Sequence, residues 1–244
     1  MRRTSLLTYW TGKDIEIEIK KLDNNARQKY LERLRDILVN GFWMNVVNEV
    51  VKGWHPQWGR VTTATMQVPM VCFTELRLSK SENHNKRYGL MGVVVDREFV
   101  LARHGGPVFY VRSQREESIV ANFGILFEWL NIQVRNGVQD ADIIYKNCAI
   151  LISYLKAMSV SDFDDFEYLD ENEWRIVHAY RREDSGLIRA TGIDRPKYKI
   201  PLSPKDIKMI VLPDSQIRNE VMQDMRISKW FDKKYRPLLT VEEV

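Results

Sequence analysis

Apolar positions along the chain change period several times, and each change marks an element. Ser5 to Trp10 (SLLTYW) is apolar and β-prone and runs into Thr11-Gly12, which predicts an opening strand and a turn. From Asn24 to Val39 the apolar residues Tyr30, Leu31, Leu34, Ile37 and Leu38 fall at i, i+3, i+4 and i+7 spacing, predicting an amphipathic helix. Asn24 or Asn25 is the expected cap, and Asn40-Gly41 the expected stop. Two continuous apolar runs, Val68 to Phe73 and Leu90 to Val95, predict buried strands. They flank a polar stretch, expected as a loop, that carries Glu75, His84, Arg87 and Tyr88. Pro107 to Val111 predicts a third strand after a turn at Gly105-Gly106.

The second half alternates helical and extended patterns. Glu116 to Asn131 reads as a buried helix, and Asp140 to Met158 as a second one apolar enough for the domain centre. Glu173 to Ala179, Tyr198 to Pro201 and Ile207 to Leu212 read as strands, punctuated by Ser203-Pro204 and Pro213-Asp214. Ser215 to Met225 predicts a helix. The charged tail 229–244 carries Trp230, Phe231 and Tyr235 as docking anchors. No linker interrupts the series, so the expectation is one α+β domain over residues 1–244. Its sheet is mixed or antiparallel, and split in one version, with helices flanking it.

Composition narrows the class. A chain of 244 residues that is 44% hydrophobic can bury a substantial core. No apolar run approaches the roughly 20 residues of a membrane span. MRRTSLLTYW lacks the apolar centre and small-residue cleavage site of a secretory signal. Cys72 and Cys148 sit in apolar patterns far apart, which fits two reduced core thiols in a cytoplasmic protein rather than a disulfide framework. The net charge of +4 is spread without a basic stripe, so nucleic-acid binding is the weakest function class.

Candidate chemistry lies elsewhere. No phosphate loop, dinucleotide fingerprint or zinc spacing is present, and the four histidines are scattered, so no metal site is expected. Phe42 to Gly59 is rich in tryptophan (Trp43, Trp54, Trp58). It reads either as an aromatic loop or short helix lidding the core, or as a stacking surface for a planar ligand. Two carboxylates stand out: Glu75 at the end of an apolar run, and Glu173 in the group Glu171, Glu173, Trp174 and Arg175. Either carboxylate can orient a hydroxyl or stabilise positive charge developing on a sugar, and either can equally be a structural ion pair. Tyr88 can stack on a ring or sit half-buried in a sheet. The acidic stretch Ser161 to Glu171 is expected as an exposed loop suited to a basic partner surface.

The order of motifs resembles the AbiGi-type family of abortive-infection proteins. The residues that carry the likeness are YWTG (Tyr9 to Gly12), ILVNGFW (Ile37 to Trp43), VPMVCFTELRLS (Val68 to Ser79) and HNKRYGLMGVVV (His84 to Val95). GGPVFYV (Gly105 to Val111) and ENEWRIV (Glu171 to Val177) complete the set. The resemblance implies an antitoxin of bacterial anti-phage defence whose protein partner is encoded in the same system. More distantly, the layout is similar to that of ADP-ribosyltransferases, which bind NAD in a split-sheet cleft and pass ADP-ribose to nucleic acid or protein. That likeness implies Tyr9, with Thr11, at the first-strand polar site, where the family carries His or Arg. It implies Tyr88 as the stacking aromatic, with Arg87 and His84 beside it, and Glu173 as the late carboxylate. A degenerate, binding-only version of that fold, and a non-catalytic antitoxin, are the alternatives.

Overall fold

The computed structural model describes residues 6–17, 22–55, 60–75, 82–111, 119–157, 171–179, 186–192, 197–228, 230 and 238–243. Strand β1 is Leu6–Thr11, followed by a short helix α1, Lys13–Ile17, and the amphipathic helix α2, Asn24–Asn40. The buried stripe of α2 is the predicted one. Its cap is not Asn24 or Asn25 but Asp23, whose carboxylate accepts the Ala26 N–H at 2.8 Å. Asp23 is the last extended residue before the helix, which is where a short acceptor side chain can reach an orphan N–H. Gly41 ends the helix at φ 91°, and a Cβ there would stand 2.1 Å from the Ile200 carbonyl oxygen.

The tryptophan-rich segment is not a lid. It is strand β2, Phe42–His55, in a long antiparallel hairpin with β3, Arg60–Thr74, in register from Asn45↔Met70 to His55↔Arg60. Its valines and the valines and threonines opposite are β-branched and fit a pleated surface, and the aromatic content hid that pattern. Trp54 lies on β2, and Trp58 falls outside the described residues. The expected polar loop contains a helix, α3, Glu82–Tyr88. Strand β4, Met91–Asp96, is buried from Met91 to Val95, and helix α4, Arg97–Leu101, follows it. The single strand expected over Pro107 to Val111 is two, β5, Gly106–Pro107, and β6, Phe109–Val111, which pair with different neighbours.

Helices α5, Ile119–Arg135, and α6, Ala141–Ile152, follow. The second is shorter than expected, because Leu155–Ala157 leaves it as strand β7, parallel to β6. Then come β8, Glu173–Val177, β9, Arg189–Ala190, β10, Tyr198–Ile200, and β11, Ile207–Leu212. The chain continues with α7, Ser215–Gln223, α8, Met225–Ser228, and β12, Leu238–Thr240. Trp230 of the tail is a core residue, and β12 pairs in parallel with β11. Phe231 and Tyr235 lie outside the described residues, as do residues 161–170 of the acidic stretch.

The main sheet runs β12-β11-β4-β1-β3-β2-β10-β9, with β8 joined to β3 and β5 to β8. It is antiparallel except for β11–β12, so the architecture is α+β. β1 meets β3 through one register pair, Thr8↔Thr74, whereas it pairs with β4 along its whole length. The sheet is therefore split where β1 leaves β3. The main core packs α2, α7 and α8 on one face, where Val71, Phe73 and Ile176 point. Strand alternation sends Val68, Cys72, Thr74, Glu173 and Arg175 to the other face. There α5 and α6 enclose a second, small core of Phe127, Leu130, Cys148 and Ile152 against Val68 and Val111. Among the described residues no helix is long and apolar enough to cross a membrane.

Candidate functional site

A cleft of about 960 Å³ opens at the split in the sheet, a volume suited to a ligand of nucleotide size. β1 lends it Tyr9, Trp10 and Thr11; α2 lends Arg33 and Asp36; β3 lends Cys72 and Thr74. Arg87 and Tyr88 come from the end of α3, and Lys156, Glu171, Glu173 and Arg175 close the far side. Tyr9, Thr11, Tyr88, Arg87 and Glu173 thus converge although they are spread over the sequence. His84 stands behind Tyr88, its ring 5.1 Å from the tyrosine ring, with Nε2 3.2 Å from the Thr74 hydroxyl. Glu75 is not brought to the cleft. Its carboxylate accepts the Trp174 Nε1–H at 3.0 Å and pairs with Arg97, a structural ion pair at a strand end.

A chain of charges forms the cleft wall. Tyr88 donates its hydroxyl to Glu171 Oε1, and Lys156 Nζ lies 2.6 Å from Glu171 Oε2. The same ammonium pairs with Glu173 Oε2, and Arg175 Nε donates to Glu173 Oε1 at 2.6 Å. The Glu173 N–H donates to the Tyr110 hydroxyl at 2.8 Å. Glu171, expected in an exposed loop, is 2% exposed. Both acids and Arg175 are therefore held out of water, which is tolerable only because each has a charged partner.

The proton affinities follow from that wall. Burial pushes the Glu173 carboxyl up, but Arg175 and Lys156 outweigh it and hold the group ionised, below its ordinary range. Burial also pushes Glu171 up, and Lys156 only partly restores it, so this acid ends above its ordinary value. The Tyr88 hydroxyl is pushed up by burial and by the Glu171 charge, which keeps it a donor. His84 is pushed down to about 4 by burial and by Lys156 and Arg87, so its imidazole is neutral. Cys72, expected in the core, faces the cleft, and burial and Glu173 both keep it a thiol.

Arg33 anchors the opposite wall, donating to the Thr11 hydroxyl at 3.2 Å and gripping Asp14 with both terminal nitrogens. Trp10, buried at 8% exposure, contributes to the cleft lining, and its indole N–H, itself enclosed, has no acceptor among the described residues. An orphan buried donor costs on the order of 1–3 kcal/mol. Among the described residues no group of three His, Cys, Asp or Glu side chains is placed to hold a metal ion.

Sequence reasoning missed Lys156, the residue that joins the two acids. Its only signal was a lone cation in the apolar run LISYLKAM, which a helical reading absorbs as a surface position.

No curated protein and no solved structure matches the chain. A family model described as "Putative abortive phage resistance protein AbiGi, antitoxin" matches residues 42–213, which include β2 to β11 and the wall from Cys72 to Arg175. With well over half its length matched, the chain belongs to the AbiGi family of abortive phage resistance proteins.

Proposed function

We propose that this chain is the antitoxin of a bacterial abortive-infection system and neutralises a toxin encoded in the same system by direct binding. The observation that carries this reading is the match of residues 42–213 to the antitoxin family model. The cleft agrees with a binding role. Both oxygens of Glu173 are already engaged by built-in cations, so its charge is compensated before any reacting centre arrives. The test is to express the neighbouring toxin gene in a bacterial host with and without this chain, then to size the purified pair. Restored growth and a stable complex are expected. Toxicity of this chain alone, beside a harmless neighbour, overturns the reading.

The convergence of Tyr9, Thr11, Arg87, Tyr88 and Glu173 on one cleft favours a second reading, a site for NAD. The residues fit such a ligand in kind. Arg87 supplies positive charge for a pyrophosphate and Tyr88 an aromatic face. Bound NAD would supply an ADP-ribosyl group for transfer to nucleic acid or protein. Within this chain, Glu173 would hold a ribose hydroxyl once Lys156 shifts wholly onto Glu171, and Arg33 would keep Thr11 in place. Calorimetric titration of NAD into wild type and Glu173→Gln, followed by a turnover assay, separates the readings. Binding with turnover lost in the variant supports the transferase. Binding without turnover leaves a ligand-sensing antitoxin, and no binding removes the NAD reading.

A further inference from the structure

Three strands at one end of the main sheet bring together residues that lie far apart in the sequence. Lys199 of β10 stands directly opposite Trp43 of β2 on one side and Arg189 of β9 on the other. Directly opposed residues of neighbouring strands share a face of the sheet, with about 5 Å from strand to strand. Their chain neighbours fix which face it is. Phe42 and Met44 flank Trp43, Tyr198 and Ile200 flank Lys199, and all four belong to the main core. Alternation therefore turns Arg189, Lys199 and Trp43 away from that core. Arg189 is exposed and Lys199 half-buried. Trp43, half-buried at the inner end of the row, is one of the residues around the cleft. Its indole N–H donates to Asp36, whose other oxygen accepts from the Asn40 amide at 2.5 Å, so the ring is held and the acid beside it is engaged.

We infer that this row is a binding site for a single strand of nucleic acid, with phosphates on Arg189 and Lys199 and a base against Trp43. The inference rests on neither reading above. Like charges set directly opposite each other on neighbouring strands oppose folding. Among the described residues neither Arg189 nor Lys199 has an acidic partner. Arg27, Arg35 and Arg218, which also reach the surface, each face a carboxylate. The charges of the row are thus left for an anion from outside, and a chain of phosphates offers two at neighbouring positions. The aromatic end selects the kind of polyanion. A cationic track that ends on an aromatic ring holds a nucleic-acid strand, because every base has a face to stack while the phosphates beside it are neutralised. A duplex keeps its bases stacked on one another and offers the ring nothing, and an acidic peptide uses the charges but not the ring. Charge read along the sequence ranks nucleic-acid binding last for want of a basic stripe. Strand pairing builds a short one from three separate segments.

The test is fluorescence anisotropy of a fluorescein-labelled oligothymidylate of about 20 nucleotides, alone and as a duplex with oligoadenylate, titrated with the full chain between about 20 and 200 mM salt. Binding to the single strand, and weaker binding to the duplex, is expected. Arg189→Ser with Lys199→Ser removes two phosphate contacts. It is expected to flatten the slope of log affinity against log salt by roughly 1.4, at about 0.7 per contact on a single strand. Trp43→Leu is expected to weaken binding roughly tenfold and to leave that slope unchanged. A merely structural role for the three residues would not divide the effects in this way. Lys146→Ser, at a position paired with Asp142 at 2.6 Å on α6, is the control expected to leave binding unchanged. Far-ultraviolet circular dichroism checks that each variant folds. A wild type that binds no single strand overturns the inference, as does binding that the double variant leaves untouched, or a preference for the duplex. A chain that binds no nucleic acid but loses toxin capture in the double variant assigns the row to the toxin instead, and also overturns it.

Discussion

Replacing Lys156 with methionine tests the account of the cleft wall most directly. Among the described residues the ammonium alone pairs with both Glu171 and Glu173, at 2.6 Å from the first and closer to the second. The carboxylate side chains of Glu171 and Glu173 are 2% and 5% exposed. Methionine keeps the packing of the stem and removes the charge. Glu173 retains Arg175, but among the described residues Glu171 is left with the Tyr88 hydroxyl and no cation. Removing one partner from a buried ion pair costs about 3–5 kcal/mol. For a chain of this length that lowers Tm by on the order of 10 °C. The pH dependence carries the diagnosis. Glu171 already binds its proton more tightly in the folded state than an ordinary carboxyl, and losing Lys156 moves it further in that direction. The folded variant then holds more protons than the unfolded chain above the ordinary carboxyl range, so its stability rises as pH falls toward 5. Urea unfolding between pH 5 and 8 measures both effects. Adding Glu171→Gln to Lys156→Met removes the stranded charge and should recover more than half of the loss. A deficit below about 1 kcal/mol would refute the account, as would one that is flat in pH or untouched by the second substitution.

Three further outcomes are expected. Glu75→Gln should lower stability by about 1–3 kcal/mol through its Arg97 and Trp174 partners, yet leave toxin rescue and NAD titration unchanged, because Glu75 is outside the cleft. His84 is neutral when folded, with its proton affinity pushed down to about 4, so the unfolded chain binds the extra proton below pH 6.5. Stability is then lost as pH falls from 6.5 toward 4, and His84→Asn should flatten that part of the profile in chemical denaturation. Gly41→Ala should destabilise by more than about 2 kcal/mol, since φ is 91° and the new Cβ meets the Ile200 carbonyl oxygen at 2.1 Å; an unchanged unfolding midpoint would contradict the close approach.

Local pattern was enough for the elements whose partners are interchangeable. The stripe from Tyr30 to Leu38 specifies a helix face whatever covers it, and Met91 to Val95 specifies a strand buried on both sides. Gly41 was legible as a stop because its reason is its own backbone angle. The α+β class follows from the same short-range signals. The tryptophan-rich segment was misread because aromatic content was weighed above the β-branched alternation around it, and the pairing with β3 that settles the matter is tertiary.

The site lies at the other extreme. Tyr9, Tyr88 and Glu173 could be named as types worth watching, but nothing local sets the single β1–β3 register pair that opens the sheet between them. Lys156 and Glu173 are 17 residues apart, and Tyr88 and Glu171 are 83 apart. A buried ion pair has no periodicity, because its members are chosen by what stands opposite after folding. The outer faces of α5 and α6 make the same point in reverse: hydropathy fixed that they would be apolar, and only the packed structure decided which side was left open, because burial is a property of neighbours and not of the residue.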